Sequence, residues 1–120
     1  MMETINLRDK LATFDETWAP KIIGALNGQH VKLAKLEGEF VWHAHEHEDE
    51  LFLVIDGELT LEFRDREVQL AAGELCIVPR GVEHRPVTST GASILLFEPE
   101  GTAQTGGVES ELLADEQHWI

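Results

Sequence analysis

Three imidazoles and four carboxylates fall within eight consecutive positions: His43, His45 and His47, with Glu46, Glu48, Asp49 and Glu50. Side chains two apart on an extended strand point the same way, so His43 and His45 can present ring nitrogens to one point inside a barrel. The polar run 46–49 reads as a turn, after which Glu50 opens an apolar strand and can aim its carboxylate to the same side. Further along, Pro79 and Gly81 set a tight turn that puts His84 at the start of a strand facing the interior. Three neutral imidazoles and one carboxylate make a mixed nitrogen and oxygen shell suited to one divalent transition metal: Fe, Mn, Ni, Co or Zn. Octahedral coordination would leave positions open for water or a small molecule. The alternative for each of these residues taken alone is a solvated polar strand end; two separate stretches supplying complementary ligands favour the metal. His47 shares the parity of His43 and His45, so a second register, His45 and His47 with Glu50, stands beside the first.

Other residues near these stretches carry less. Trp42, Phe52 and Arg80 are the substrate-contact candidates, although barrel aromatics pack by default and an exposed arginine usually pairs with a carboxylate. Strand alternation turns Arg85 away from the face of His84. Glu46, Glu48 and Asp49 read as a solvated acidic rim whose field favours cations and counts against a phosphosugar. His30 and His118 lie outside both stretches and take no role. No catalytic residue is assigned, because the visible candidates for a general acid or base are already committed as ligands.

The elements that must position these groups read as strands. Asn27-Gly28 is a hairpin signal after an apolar segment from Lys21. Val31 and Leu33 share a side, as do Phe40 and Trp42. The run 51–55 is apolar on both faces. Asp56-Gly57 reads as a second hairpin turn, followed by Leu59, Leu61 and Phe63 in strict alternation with polar residues. A turn at residues 64–66, a strand at Val68 and Leu70, a turn at Ala72-Gly73, a strand over 75–78 and a last one over 94–97 complete the series. Many short strands joined by Gly-bearing turns predict an all-β antiparallel sandwich or barrel. Beyond Pro99 the composition turns to Gly, Thr and acidic residues, so residues 99–120 read as an extended C-terminal arm whose final apolar groups dock on the barrel or on a neighbouring subunit.

Composition bounds the rest. A chain of 120 residues with 42% apolar content builds one core, so a single domain over 1–120, with its barrel at about 21–98, is expected. Nine basic against 23 acidic residues give a net charge of −14, which repels nucleic acid and anionic lipid. No apolar stretch has signal-peptide or membrane-spanning length, so a soluble cytoplasmic protein is expected. The single Cys76 sits in the apolar run 75–78 and reads as core filler.

The two stretches resemble the paired motifs of the cupin superfamily. The first runs from Gly38 through His43, His45 and Glu50 to Gly57, and the second from Gly73 through Pro79 and Gly81 to His84. The first glycine is followed by four residues before His43 where the family usually has five, and Thr88 stands where the family often has Asn. The four-residue gap from His45 to Glu50 matches the family and favours His43 over His47. The resemblance implies a jelly-roll, or double-stranded β-helix, barrel holding one metal through His43, His45, Glu50 and His84. A finer resemblance, through Trp42-His43, residues 49–52, residues 79–86 and Gly101-Thr102, is to small one-domain cupins of the conserved-barrel type often labelled mannose-6-phosphate-isomerase-like. That label reflects fold more than activity. It implies a small-molecule ligand, a dioxygenase, lyase or isomerase reaction, or a non-catalytic binding or sensing role, and a homodimer as the oligomeric state.

Overall fold

Turn chemistry places the first two strands. Asn27 and Gly28 both take positive φ, 50° and 75°, the pair of left-handed residues that a two-residue hairpin needs. They join β1 (Lys21–Leu26) to β2 (Gln29–Glu39) in the computed structural model of the chain, which describes residues 2–113 and 116–120. Then follow β3 (Glu50–Phe63), β4 (Glu67–Ala71), β5 (Leu75–Val78), β6 (His84–Pro99) and the short β7 (His118–Trp119). The sheet runs β4-β3-β6-β2-β1-β7, with β5 also paired to β3. Every pairing is antiparallel except that of β7 with β1. The expected all-β barrel is the observed fold, with one short helix, α1 (Leu7–Leu11), ahead of it. Among the described residues no helix is long and apolar enough to cross a membrane.

Asp56-Gly57 does not form the expected hairpin. β3 and β6 run through as single strands of 14 and 16 residues, bent at Gly57 (φ 84°) and Gly91 (φ 88°), with register shifts beside the bend. A Cβ on Gly57 would stand 2.2 Å from the Gly91 carbonyl oxygen. The dipeptide therefore serves a close crossing of two bent strands, which is how a long strand turns a barrel corner without leaving its partner. The segment around Phe40 and Trp42 is likewise no regular strand. It keeps only scattered bonds to β6, from the Phe40 amide to the Pro86 carbonyl (2.9 Å) and between His43 and His84 in both directions (3.0 and 2.9 Å).

Alternation sorts side chains to two faces. Phe52, Val54, Leu59 and Leu61 of β3, Ile94 and Leu96 of β6, and Ala34 and Leu36 of β2 are buried in one core inside the barrel. Each of these Val, Leu, Ile and Phe side chains contributes about 1.5–3 kcal/mol on removal from water. Val31 and Leu33 do share a side, and it is the outer one: Leu33 packs in a second cluster with Leu11, Phe14 and Ile23, under the N-terminal segment. Lys32 therefore points inward with Ala34, and is buried. The C-terminal arm docks on its own barrel. Ile120 donates to the Ile22 carbonyl (3.0 Å), its carbonyl accepts from Lys10 Nζ (2.8 Å), and Gly106 presses so closely on Ala44 that a Cβ there would meet the Ala44 oxygen at 2.1 Å.

Candidate metal centre

The extended segment after β2 delivers His43 and His45, the first residue of β3 delivers Glu50, and the first residue of β6 delivers His84. The mutual backbone bonds of His43 and His84 fix these two segments side by side. All four side chains are buried, and one ligand atom from each lies within 4.8 Å of the others. Glu50 Oε1 stands 3.3 Å from His45 Nε2 and 3.4 Å from His84 Nε2. His47, the member of the alternative register, is outside the cluster, 81% exposed beside Glu46.

Two rings have their tautomer set by the backbone. His43 Nδ1–H donates to the Val41 carbonyl (2.8 Å) and His84 Nδ1–H to the Val82 carbonyl (2.9 Å). A carbonyl only accepts, so the proton sits on Nδ1 and the Nε2 lone pair is left for another partner. Burial, and then the facing ring of His84, push His43 down to about 4, against the pull of the Val41 carbonyl, so this imidazole is neutral at neutral pH. Burial alone would raise Glu50, but contacts with Glu98, His45 and His84 outweigh it and hold the carboxyl well below its ordinary value. His45 Nε2, His84 Nε2 and Glu50 Oε1 are buried without a hydrogen-bond partner among the described residues. Leaving such atoms unsatisfied costs about 1–3 kcal/mol each. Three converging lone-pair donors with a neutral nitrogen beside them fit a cation of the kind that takes nitrogen and oxygen ligands, so this cluster could hold a metal.

A cavity of about 40 Å³ adjoins the cluster, lined by His43, Glu50 and Phe52 together with Trp18, Leu36, Phe40, Ile94 and Leu96, with Glu98, Gln104 and Gln117 at its polar end. Trp18 stacks on Phe40 at 4.6 Å and 15°. Of the three substrate-contact candidates, Phe52 is buried against the His84 ring, with centroids 6.0 Å apart, and lines the cavity. Trp42 carries the Arg64 guanidinium on its ring at 3.8 Å, and Arg80, 63% exposed, holds Asp49 at 3.2 Å; neither lines the cavity. Arg85 pairs with Glu62 (2.7 Å) and Glu39 (2.9 Å), turned away from His84 as alternation requires.

The sequence reading passed over a buried pair beside the cluster. Lys32 Nζ donates to Glu98 Oε1 at 2.7 Å with both side chains almost wholly enclosed. Glu98 follows Phe97, the cross-strand partner of Leu51, and so stands opposite Glu50. Burial, and then Glu50, raise Glu98 to about 9, with Lys32 pulling the other way. The signal was present in the sequence: Glu98 continues the parity of Ile94 and Leu96, and Lys32 that of Ala34 and Leu36.

The comparisons with known proteins agree with this fold. The cupin domain model matches residues 29–97, more than half of the chain, and the chain belongs to this family. A cupin-2 domain protein of Shewanella frigidimarina is 44% identical with a TM-score of 0.79, the match covering 80% of this chain and 94% of that one. Protein NMB1881 of Neisseria meningitidis is 36% identical with a TM-score of 0.75, covering 82% and 100%. The curated protein YdbB of Bacillus subtilis is 42% identical over 64 residues, which is 52% of this chain and 57% of that protein, so the match spans little more than half of the relative's length. A hydroquinone 1,2-dioxygenase, PnpCD, solved with Cd²⁺ and 4-hydroxybenzonitrile, shares the fold at 22% identity and a TM-score of 0.63, over 77% and 70% of the two chains.

Proposed function

We propose that His43, His45, Glu50 and His84 hold one divalent transition metal, and that the protein is a metal-dependent enzyme acting on a small molecule in the barrel. The observation that carries this reading is the convergence of three buried, unpartnered donor atoms, His45 Nε2, His84 Nε2 and Glu50 Oε1. A bound ion supplies Lewis acidity or, for iron and manganese, oxygen chemistry at an open coordination position. The chain's own part is to hold two imidazole tautomers through Val41 and Val82, to keep water off the site with Phe40 and Phe52, and to offer Phe52 as an apolar contact for the ligand.

A second reading, a binding or sensing module without turnover, is favoured by the scarcity of acid and base groups: beyond the four, Glu98 is the one ionisable side chain lining the cavity among the described residues. Protein loaded anaerobically with Fe(II) separates the two in an oxygen electrode, with catechols, flavonols, small diketones and hydroquinone as compounds, the last chosen from the neighbour that shares the fold. Oxygen uptake that disappears in His84→Ala is the expected result. Retention of a compound with clear affinity, returned unchanged, would favour the sensing reading.

The partner we propose is a second copy of this chain. The outer sheet face carries an apolar patch at its β5 end, Ile77-Leu51-Phe97 and Leu75-Leu53, set by the pairings of β5, β3 and β6, while Val31, Leu33 and Leu95 on the same face pack under the N-terminal segment. Leu75 and Ile77 are 53% and 56% exposed. A contiguous apolar sheet face of this kind marks an interaction surface, and a twofold dimer is its simplest closure. We place the protein in the cytoplasm, where a lone cysteine stays reduced.

A further inference from the structure

Two cavities meet behind the C-terminal arm. The one of about 40 Å³ adjoins the candidate ligands, and a wider cleft of about 430 Å³ lies between the barrel and arm residues that include Ala103 and Thr105. Gln104 and Gln117 line both. Lys32 and Glu98 straddle the same boundary, since Lys32 lines the cleft, its partner Glu98 lines the cavity, and 2.7 Å separates Nζ from Oε1. The partition is therefore one side chain thick. Elsewhere the cavity wall is mainly apolar, and Trp18, Phe40, Phe52 and Leu96 are all buried in it. Moving such a wall displaces packed neighbours, whereas a glutamine swings aside by turning about single bonds. Gln104 Nε2 donates to the Trp18 carbonyl, which ties the arm to the cavity wall. A side-chain amide both donates and accepts, so it pairs with a hydroxyl, a carbonyl or another amide. Charge is disfavoured on this path: apolar walls penalise any ion, and Glu109 in the cleft, with the net charge of −14, repels an anion.

We propose that the cleft beneath the arm is the outer part of the ligand site, and that a slender uncharged molecule bearing a hydroxyl, carbonyl or amide passes Gln104 and Gln117 to reach the barrel cavity. The role of that molecule rests on the small-molecule reading above, but the route does not need the ion, so the test uses metal-free protein. Ala34, fully buried, lines the cavity. In a Cys76→Ser background, Ala34→Cys puts a thiol there, and its alkylation by iodoacetamide and by iodoacetate, nearly equal in size and different in charge, is followed by mass spectrometry. Should that variant fail to fold, Pro20→Cys lines the same cavity. The amide reagent is expected to outpace the carboxylate by about tenfold more than it does on the denatured chain, because the ion must cross apolar surroundings. Gln104→Ala, which loses the bond to the Trp18 carbonyl, should quicken labelling about fivefold, the worth of one hydrogen bond. Ala103→Trp, at an exposed arm position, should slow it about threefold or more by filling the cleft with an indole. Gln29→Trp, in a separate cleft on the far side of Glu50, should leave it unchanged. Rates that ignore both arm variants, rates that fall in Gln29→Trp, or the reagent ratio of the denatured chain, as labelling through global unfolding would give, each overturn the route and leave the metal reading standing. A chain that takes up no metal would overturn that reading without altering these rates.

Discussion

His43 does two jobs with one ring: Nδ1–H ties the segment to the Val41 carbonyl, and the buried, neutral ring keeps Nε2 available. The cost appears in acid. Its folded value of about 4 lies below the ordinary 6.5, so between these two values the unfolded chain binds a proton that the folded chain refuses. Stability contributed by this group is therefore complete above about pH 6.5 and falls as pH drops toward 4, by about 3 kcal/mol in all. Compared with His43→Gln, the metal-free wild type should lose about that much between pH 7 and pH 4 in parallel denaturant melts. Equal pH slopes for the two proteins would show that the ring is not buried as described. The four candidate ligands could be grouped from the sequence because parity and turn signals are local properties, although parity alone left His43 and His47 open and the family resemblance decided between them. Lys32 and Glu98 were harder to see: their parity with buried neighbours is in the sequence, but charged side chains default to solvent, and what overrides that default is the pairing of the two across β2 and β6.

At the scale of elements, the long bent strands carry the site, and this is where the sequence misled. Asp-Gly between apolar runs is chemically the same whether the chain reverses or merely bends; what decides is the approach of Gly91, some thirty-four residues away in sequence and invisible to a local pattern. Gly57→Ala must place a methyl against backbone at positive φ. It should destabilise the fold by about 2–4 kcal/mol, measured as a shift in the denaturation midpoint without a change in m-value. The arm offers a second check. Gly106 sits on Ala44, the residue between two of the candidate ligands, so Gly106→Ala should lift residues 101–107 from the barrel and raise hydrogen exchange there, while β3 and β6 keep their protection. Uniform loss of protection would mean that the arm is part of the cooperative core rather than a strap laid over it.

For the whole molecule, two quantities matter: the net charge of −14 and the apolar patch on the outer face. The charge keeps copies apart at long range, so association must come from short-range apolar contact and should tighten with salt. Ile77→Glu with Leu53→Glu places like charges in the patch and should convert a dimer at micromolar concentration to monomer in sedimentation, with little change in the melt of the monomer. A wild type that sediments as a monomer would remove the second copy from the account. Fold class was readable from the spacing of strands and turns, and docking of the arm's last apolar groups was expected; which of the two surfaces they take, the chain's own β1, was not, because it depends on contacts distant in sequence.

The most direct measurement is the metal content of protein purified without oxygen, by elemental analysis, in the wild type and in His84→Ala. Four enclosed donors with three of their atoms unpartnered predict one divalent transition ion per chain in the wild type and its loss in the variant. A wild type that stays metal-free even after incubation with Fe(II), Mn(II), Ni(II), Co(II) and Zn(II), or a variant that keeps a full equivalent, would contradict the account.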